Sequence, residues 1–412
     1  MNFIFISPNF PHSYWNFCDR LKKRGVNVLG IGDASYESLL PELKGCLTEY
    51  FRVDSLSNYE QVYKAVAYFA FRYGKVDWIE SNNEFWLEQD AALRTDFNIK
   101  SGVQSSQVAS FKSKAAMKPF YAAAGVPTAR QIKLSDLAAA KEFISEAGYP
   151  VIVKPEVGVG AEATYKISDE KALEDFFSSL PSVPYVMEEF VCGDIYSYDA
   201  IIDSEGNPLF ESSAHFPPSV MDVVLENLDM AYYVLDKVPE QLRRRGRATA
   251  KAFGVRSRFV HFEFFRLDKA KKGLGRKGDF IGLEVNMRPA GGYTPDMMNF
   301  AHSLDVYSIW ADMIAGKKAS DPDAPSPESY EDFPGNHFCL YYGRRDESRY
   351  AHSDSEVLSK YFSNMAMHER MPKAISGAMG NQMYTLHAYS QQELEEMIAY
   401  LSEKAELLAY SV

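Results

Sequence analysis

The chain is poor in cysteine: 412 residues hold only Cys18, Cys46, Cys192 and Cys339, with no CxxC pair and no Cys/His spacing that suits zinc. A disulfide framework and a structural zinc site are therefore not expected, and reduced thiols in a cytoplasmic protein are the simplest reading. Long apolar runs are also missing, and nothing approaches the roughly 18 residues of a membrane span. Positive charge is scarce: a formal net charge of −12 argues against a broad nucleic-acid footprint. There is no low-complexity tract, no internal repeat and no Walker A loop, since "GLGRKGD" lacks the GK[ST] ending. The opening "MNFIFISPNFPHSYWNF" has no basic segment ahead of its apolar residues and is expected to form a first strand, not a signal peptide.

What remains is an ordinary globular composition, 46% hydrophobic and 24% charged, in a chain too long for a single core. "NFIFIS" (2–7), "VNVLGIG" (26–32) and "VDWIES" (76–81) read as strands, separated by helical spacing over 13–24 and 59–74. That alternation predicts a parallel, doubly wound sheet over about the first hundred residues; loops after such strands often face ligands, and "SNNE" (81–84) is either such a contact or simply a helix N-cap. A helix over 113–130, another over 135–147, strands within 150–167, a helix over 168–180 and a strand over 185–191 follow. Strands are also expected at 197–203, 258–267 and 280–287, loops or lids at 213–237 and 319–334, and two strands with a final helix (391–408) beyond.

The chemistry concentrates in a few segments. "GVGAEA" (158–163) superficially fits a dinucleotide fingerprint, but "ATYKI" after it is strand-like, so the glycines join two strands instead of opening a helix. Such a loop can fold over phosphates with its backbone N–H groups, though more often it is only a turn. Lys154 ends "VIVKP" just before it, a place from which an ammonium reaches a phosphate oxygen, or simply solvent. "VMEEFV" carries adjacent acids at a strand end, where backbone groups can meet a purine edge. The strongest signal is the pair 258–267 and 280–287, joined by the polar "DKAKKGLGRKGD". His261 and Glu263 share one face, and Glu284, Asn286 and Arg288 share another. If these faces coincide, clustered carboxylates repel unless a cation bridges them, and oxygen-only ligands suit Mg²⁺ with nucleotide phosphates.

In this order the segments resemble the ATP-grasp superfamily, in particular its carboxylate–amine ligases, over residues 1 to 318. The matching features are Lys114, Lys154, Gly158 with Gly160, "EEFV" (188–191), Glu263 and "EVNMR" (284–288). The resemblance implies an α/β fold, α+β in its ATP-binding part. Residues 1–110 would form a doubly wound pre-ATP-grasp domain and 111–190 a lid subdomain and hinge. Residues 191–318 would form an antiparallel ATP-grasp core with the metal site, and 335–412 a C-terminal α+β lobe. It further implies ATP contacts from Lys114, Lys154, Gly158, Gly160, Glu188, Glu189, Phe190, Val191 and Asp194. Mg²⁺ (with Mn²⁺ an admissible substitute) would be held by Glu263, Glu284 and Asn286, and Arg288 would be catalytic. The "HFEF" and "RPAGG" contexts resemble the amino-acid-ligating branch, which places His261, Gly291 and Gly292, with Glu84, at the substrate end. The family's usual ribose acid falls on Ile195 here, leaving Asp194 or Asp199 to substitute.

The implied reaction is phosphorylation of a carboxylate by ATP, then displacement of phosphate by an amine, on small-molecule substrates without nucleic acid or membrane and with a homodimer among the allowed assemblies. Two alternatives stand beside it: a bicarbonate-phosphorylating carboxylase of the biotin carboxylase or purine-biosynthesis type, and an ATP-binding protein without turnover. Selectivity would lie in loops near Glu84, His215, Arg344 and Arg345, the paired arginines being either surface charge or a carboxylate clamp.

Overall fold

The computed structural model describes residues 1–158, 163–179, 183–217, 228–325, 327, 330 and 335–405. Its first sheet contains β1 (Asn2–Ile6), β2 (Asn27–Gly32), β3 (Glu49–Arg52) and β4 (Trp78–Glu80), all parallel in the order β3-β2-β1-β4. Both faces are covered by helices, which is why β1 and most of β2 are buried without alternation. The strand order reverses between β1 and β4, the crevice where ligands meet doubly wound sheets. The loops leaving these two strands are tied together there by Tyr14 Oη, which donates to the Asn82 carbonyl at 2.6 Å.

A second, antiparallel sheet contains β5 (Gln131–Lys133), β6 (Val151–Pro155), β7 (Tyr165–Ile167) and β8 (Tyr185–Glu189), in the order β5-β8-β6-β7. The helices Leu137–Ala147 and Glu170–Ser178 cover it, each started by an aspartate: Asp136 accepts the Ala139 N–H and Asp169 the Ala172 N–H. β6 and β7 pair antiparallel on either side of the glycine stretch, as the strand-like "ATYKI" predicts.

The third sheet contains β9 (Gly193–Ile202), β10 (Pro208–Ser212), β11 (Ala214–Phe216), β12 (Met230–Val234), β13 (Arg258–Leu267), β14 (Phe280–Asn286), β15 (Phe338–Arg344), β16 (Met365–Arg370) and β17 (Gln382–Ala388). The order is β14-β13-β9-β11-β12-β15-β17-β16, with β10 on β9. The strands after residue 335 thus continue the sheet that holds the β13–β14 hairpin. Among the described residues no helix is long and apolar enough to cross a membrane.

Several elements differ from expectation. The stretch 213–237 is not a loop throughout: β11 and β12 lie in it, and "MAYYV" is buried at every position. The stretch expected as one helix over 113–130 holds only Lys118–Ala123, and the helical run begins earlier, at the unanticipated Ser105–Lys112. Ser113 interrupts it in an extended conformation (ψ 116°), accepting the Ala116 N–H on its own hydroxyl, so Lys114 sits in a break and not on a helix face. The last helix stops at Ser402. The helices Glu240–Ala252, Thr294–His302 and Val306–Ile314 were not anticipated.

The parallel sheet is joined to the large one by buried charge and aromatic packing. Glu80 at the end of β4 lies 2.8 Å from Arg94 and 2.6 Å from Arg258 of β13, all three within 5% exposure. Burial alone would raise the Glu80 carboxyl, but the two guanidiniums hold it below its ordinary value. Beside this, Trp310 packs edge-on against Phe3 and Phe17. Arg20 and Arg24 pair with Asp305 and Asp312 at 2.9 and 2.6 Å.

Two outcomes follow from this packing. Replacing Glu80 with leucine leaves two guanidiniums buried together, and urea denaturation is expected to show a loss of about 3–5 kcal/mol. His302 is buried and 3.0 Å from Ser212 Oγ, and burial, with His337 nearby, pushes its imidazolium down to about 4. The unfolded chain therefore binds this proton first, so stability falls as pH drops from about 6.5 towards 4. In His302→Gln the melting temperature should depend less on pH over that window.

Candidate active site

The β13–β14 hairpin brings the acids together as its register requires. Glu263 pairs directly with Glu284, and His261 with Asn286. Next to this pair the register slips: Glu263 faces Glu284 but Phe264 faces Gly282, so Leu283 is an extra residue on β14. The bulge lets both Leu283 and Glu284 line the same cavity, which strict alternation would forbid. Gly282 leaves room there for the buried Tyr121 ring, 2.4 Å from where a Cβ would stand.

Each acid of the hairpin is answered by a cation. His261 Nδ1 lies 2.7 Å from Asp199 and Nε2 3.4 Å from Glu263. Burial would lower the imidazolium, but these carboxylates outweigh it and hold its pKa up at about 9. Both ring nitrogens are thereby engaged, and His261 orients Glu263. Lys114 Nζ is 3.3 Å from Glu284 and donates to the Gly158 carbonyl. The Asn286 amide is buried with no hydrogen-bond partner among the described residues.

A second group of charges forms the hinge between β8 and β9. Glu188 is wedged between Lys154 at 2.7 Å and Lys118 at 3.0 Å. Burial opposes its ionisation, yet the two ammonium groups hold the carboxyl down at about 2. Glu189 is gripped by Arg130 at 3.1 Å and Lys271 at 3.2 Å, and Lys271 also donates to the Phe190 carbonyl. The Val191 N–H has no acceptor among the described residues. Ala129, Ile152, Val191, Phe265 and Leu283 make an apolar slot beside it, and Lys166 lies over the Phe190 ring at 4.7 Å.

These groups line one cavity of about 970 Å³. On its wall are Glu84, Lys114, Lys154, Gly158, Glu188, Glu189, Phe190, Val191, Asp194, His261, Glu263, Glu284, Asn286, Arg288, Gly291 and Gly292. Gly160 lies outside the described residues. Asp199 is not on the wall; it is buried against His261 and Ser197, which leaves Asp194 as the acid beside the hinge. The Arg288 guanidinium donates to the Pro289 carbonyl and has no carboxylate partner among the described residues. Its field reaches Tyr14, Glu84 and Glu263, so it stands between the parallel sheet and the hairpin. Glu84 is buried with Oε1 3.7 Å from Lys112 and Oε2 unpartnered, and burial raises its carboxyl.

Three residues expected near a selectivity loop do not line the cavity themselves, although His215 Nε2 lies 3.4 Å from Asp194 and Arg345 holds the Ser376 and Gly377 carbonyls beside it. His215 stacks on Tyr196 and bonds Tyr233. Arg344 and Arg345 are neither surface charge nor a clamp: both are buried and donate to backbone carbonyls, Arg345 to those of Leu228, Ser376 and Gly377. Conversely, Lys271, Asp268, Phe216, Tyr232 and the loop Phe10–Tyr14 belong to the site without a sequence motif to announce them. Only the position of 10–14 directly after β1 of a doubly wound sheet pointed there.

The donor set fits a hard divalent cation. Among the described residues no three His, Cys, Asp or Glu side chains surround one point. Two facing carboxylates and an unpartnered amide are too few for a closed all-protein cage, but they match Mg²⁺ that takes its remaining ligands from phosphate and water.

Neither a family model nor a curated protein matches the chain. Among solved structures it is similar to an L-amino acid ligase from Bacillus licheniformis, with a TM-score of 0.72 at 15% identity over 97% of this chain and 96% of that one. It is also similar to the biotin carboxylase domain of a Hydrogenobacter thermophilus 2-oxoglutarate carboxylase, determined with MgADP, ADP and bicarbonate (TM-score 0.70, 16% identity, 98% and 90% covered). A phosphoribosylglycinamide synthetase from Anaerococcus prevotii gives a TM-score of 0.65 at 13% identity, with 97% of each chain covered. The chain has the ATP-grasp fold.

Because Lys271 alone joins the β13–β14 loop to both Glu189 and the Phe190 carbonyl, Lys271→Met is expected to cost about 1.5–3 kcal/mol of stability. Hydrogen exchange at residues 188–192 should accelerate, and the loss should be visible in a denaturant titration.

Proposed function

We propose that this protein is an ATP- and Mg²⁺-dependent ligase that joins a small carboxylate, an amino acid or a close analogue, to an amine, releasing ADP and phosphate. The observation that carries this reading is Arg288. A guanidinium without a carboxylate partner among the described residues, beside two facing carboxylates in a cavity that also holds an apolar slot, is arranged for phosphoryl transfer to a carboxylate. A protein that merely senses nucleotide need not keep the full set of metal-facing acids and this arginine.

In this reading the adenine lies between Ile152, Val191, Phe265 and Leu283, with the Glu188 carbonyl and the free Val191 N–H at its edge and Asp194 at the ribose. Lys114 and Lys154, each already facing an acid, swing or share their charge with the phosphates, and the Gly158 backbone approaches from above. Glu263, Glu284 and Asn286 would hold Mg²⁺, which supplies neutralisation of the polyphosphate when bound. A substrate carboxylate oxygen attacks the γ-phosphorus and the bond to the ADP oxygen breaks. The amine nitrogen then attacks the acyl carbon, phosphate departs with the electron pair of the C–O bond, and the nitrogen loses a proton. Arg288 stabilises the negative charge on the transferring group in both steps. Such an intermediate hydrolyses if wet, and the loops after β1 and β4 form the wall that limits access of water.

The test is ATP consumption with Mg²⁺ across pooled amino acids, resolving ADP, AMP and phosphate, with bicarbonate as a parallel pool. ADP and phosphate dependent on an amino-acid pool are expected. AMP with pyrophosphate rules out the acyl phosphate, and stimulation by bicarbonate alone makes the protein a carboxylase instead. Glu284→Gln should lower kcat by about 10²–10³-fold while ADP still binds in calorimetric titrations.

A further inference from the structure

The cavity has two chemically different ends, and the second one specifies what the acid can be. Every lysine on its wall is at the nucleotide end: Lys114 on Glu284, Lys154 on Glu188 and Lys166 over Phe190. The far end is lined by Ala290–Thr294, Phe216, Met230, Tyr232, Pro372, Ile375, Gly377, Ala378 and Met379, and none of these lining side chains is charged. Its hydroxyls are already used: Tyr232 Oη bonds Thr294 Oγ1, which donates to the Gly291 carbonyl, and Tyr293 Oη donates to Glu369. The segments outside the described residues contain no lysine or arginine.

This end is one continuous apolar wall. The Phe216 and Tyr232 rings stack at 5.1 Å, and Phe216 meets the edge of His261 at 6.4 Å, so the wall begins beside the hairpin acids. Met379 Cε approaches Gly292, 3.2 Å from where a Cβ would stand, and the left-handed φ of +62° there disfavours a side chain as well. Helix Lys373–Met379 is fixed from behind, by Arg345 on the Ser376 and Gly377 carbonyls and by Tyr341 Oη on the Met379 carbonyl. A buried arginine spent on shaping that helix indicates a wall of defined shape.

Resting on the ligase reading above, we infer that the acid substrate is an amino acid with a bulky, uncharged, apolar side chain. Its carboxylate lies at Arg288, its ammonium faces the unpartnered Glu84 oxygen, and its side chain packs on Phe216, Tyr232, Ile375 and Met379. A side-chain charge would be buried there without a counter-ion, which is costly. A phosphate-bearing acid would need cations that this end does not have.

The experiment uses the full chain, ATP, Mg²⁺ and hydroxylamine, which traps the acyl phosphate as a hydroxamate whatever the natural amine is. Single amino acids are compared: Leu, Ile, Met and Phe against Asp, Glu, Lys and Arg. The apolar set should exceed the charged set by at least about 100-fold in kcat/KM. Met379→Lys should raise the rate for Asp and Glu relative to Leu by about 10-fold or more, and Met379→Ala should shift preference among apolar acids towards larger ones. Hydroxamate formed equally well from charged acids overturns this inference and leaves the ligase standing. Unchanged preference in both Met379 variants, with melting temperatures preserved, removes the wall from specificity and overturns it too. ADP released with bicarbonate and with no amino acid refutes the ligase reading and this one together.

Discussion

The geometry of the site depends on Glu80. Its carboxylate is held between Arg94, which belongs to the parallel sheet's own helix, and Arg258, the first residue of β13. Arg258 also donates to the Met287 carbonyl, immediately before Arg288. One buried acid therefore fixes how the crevice of the parallel sheet meets the end of the hairpin, and so the distance between Glu84 and the hairpin acids. A hydrophobic contact at this place would be as strong, but it would not fix orientation; the fork of a guanidinium does.

Around that join the site is made by elements of different character. β13 and β14 are central, paired and rigid, and they carry the acids. The hinge between β8 and β9 is held by lysines and Arg130, which keep its acids ionised, while the Val191 N–H has no acceptor among the described residues. Preorganisation here is largely electrostatic: Glu188 near a pKa of about 2 and His261 near about 9 are both locked in their charged forms at neutral pH.

Much of this was legible in the chain. Glu284, Asn286 and Arg288 stand out because a period of two is easily read, and the parallel sheet because β1 and β2 are apolar throughout. The bulge at Leu283 is not legible, since one extra residue leaves no compositional trace and shows only in the register with Glu263. β11 and β12 were hidden because two short strands flank a stretch with proline and acids, so the local polarity outweighed "MAYYV". Lys114 was found by its place in a motif, yet its exposure to the cavity comes from a helix break at Ser113 that helix-favouring neighbours conceal. Arg344 and Arg345 show the limit of reading charge: their partners are carbonyls from three distant segments, visible only after folding.

The bulge at Leu283 also bears on how such a chain can change over generations. Beyond Lys271 the loop 268–279 can gain or lose residues without moving the strands it joins, whereas the stretch from Glu284 to Arg288 cannot. Removing Leu283 would only close the bulge, because Glu263 stays opposite Glu284 and Phe264 opposite Gly282, whereas removing Val285 would turn the amide and the arginine to the face opposite the acid. Counting residues from Glu284 to Arg288 in a distant homologue is consequently as informative about shared chemistry as comparing their identities.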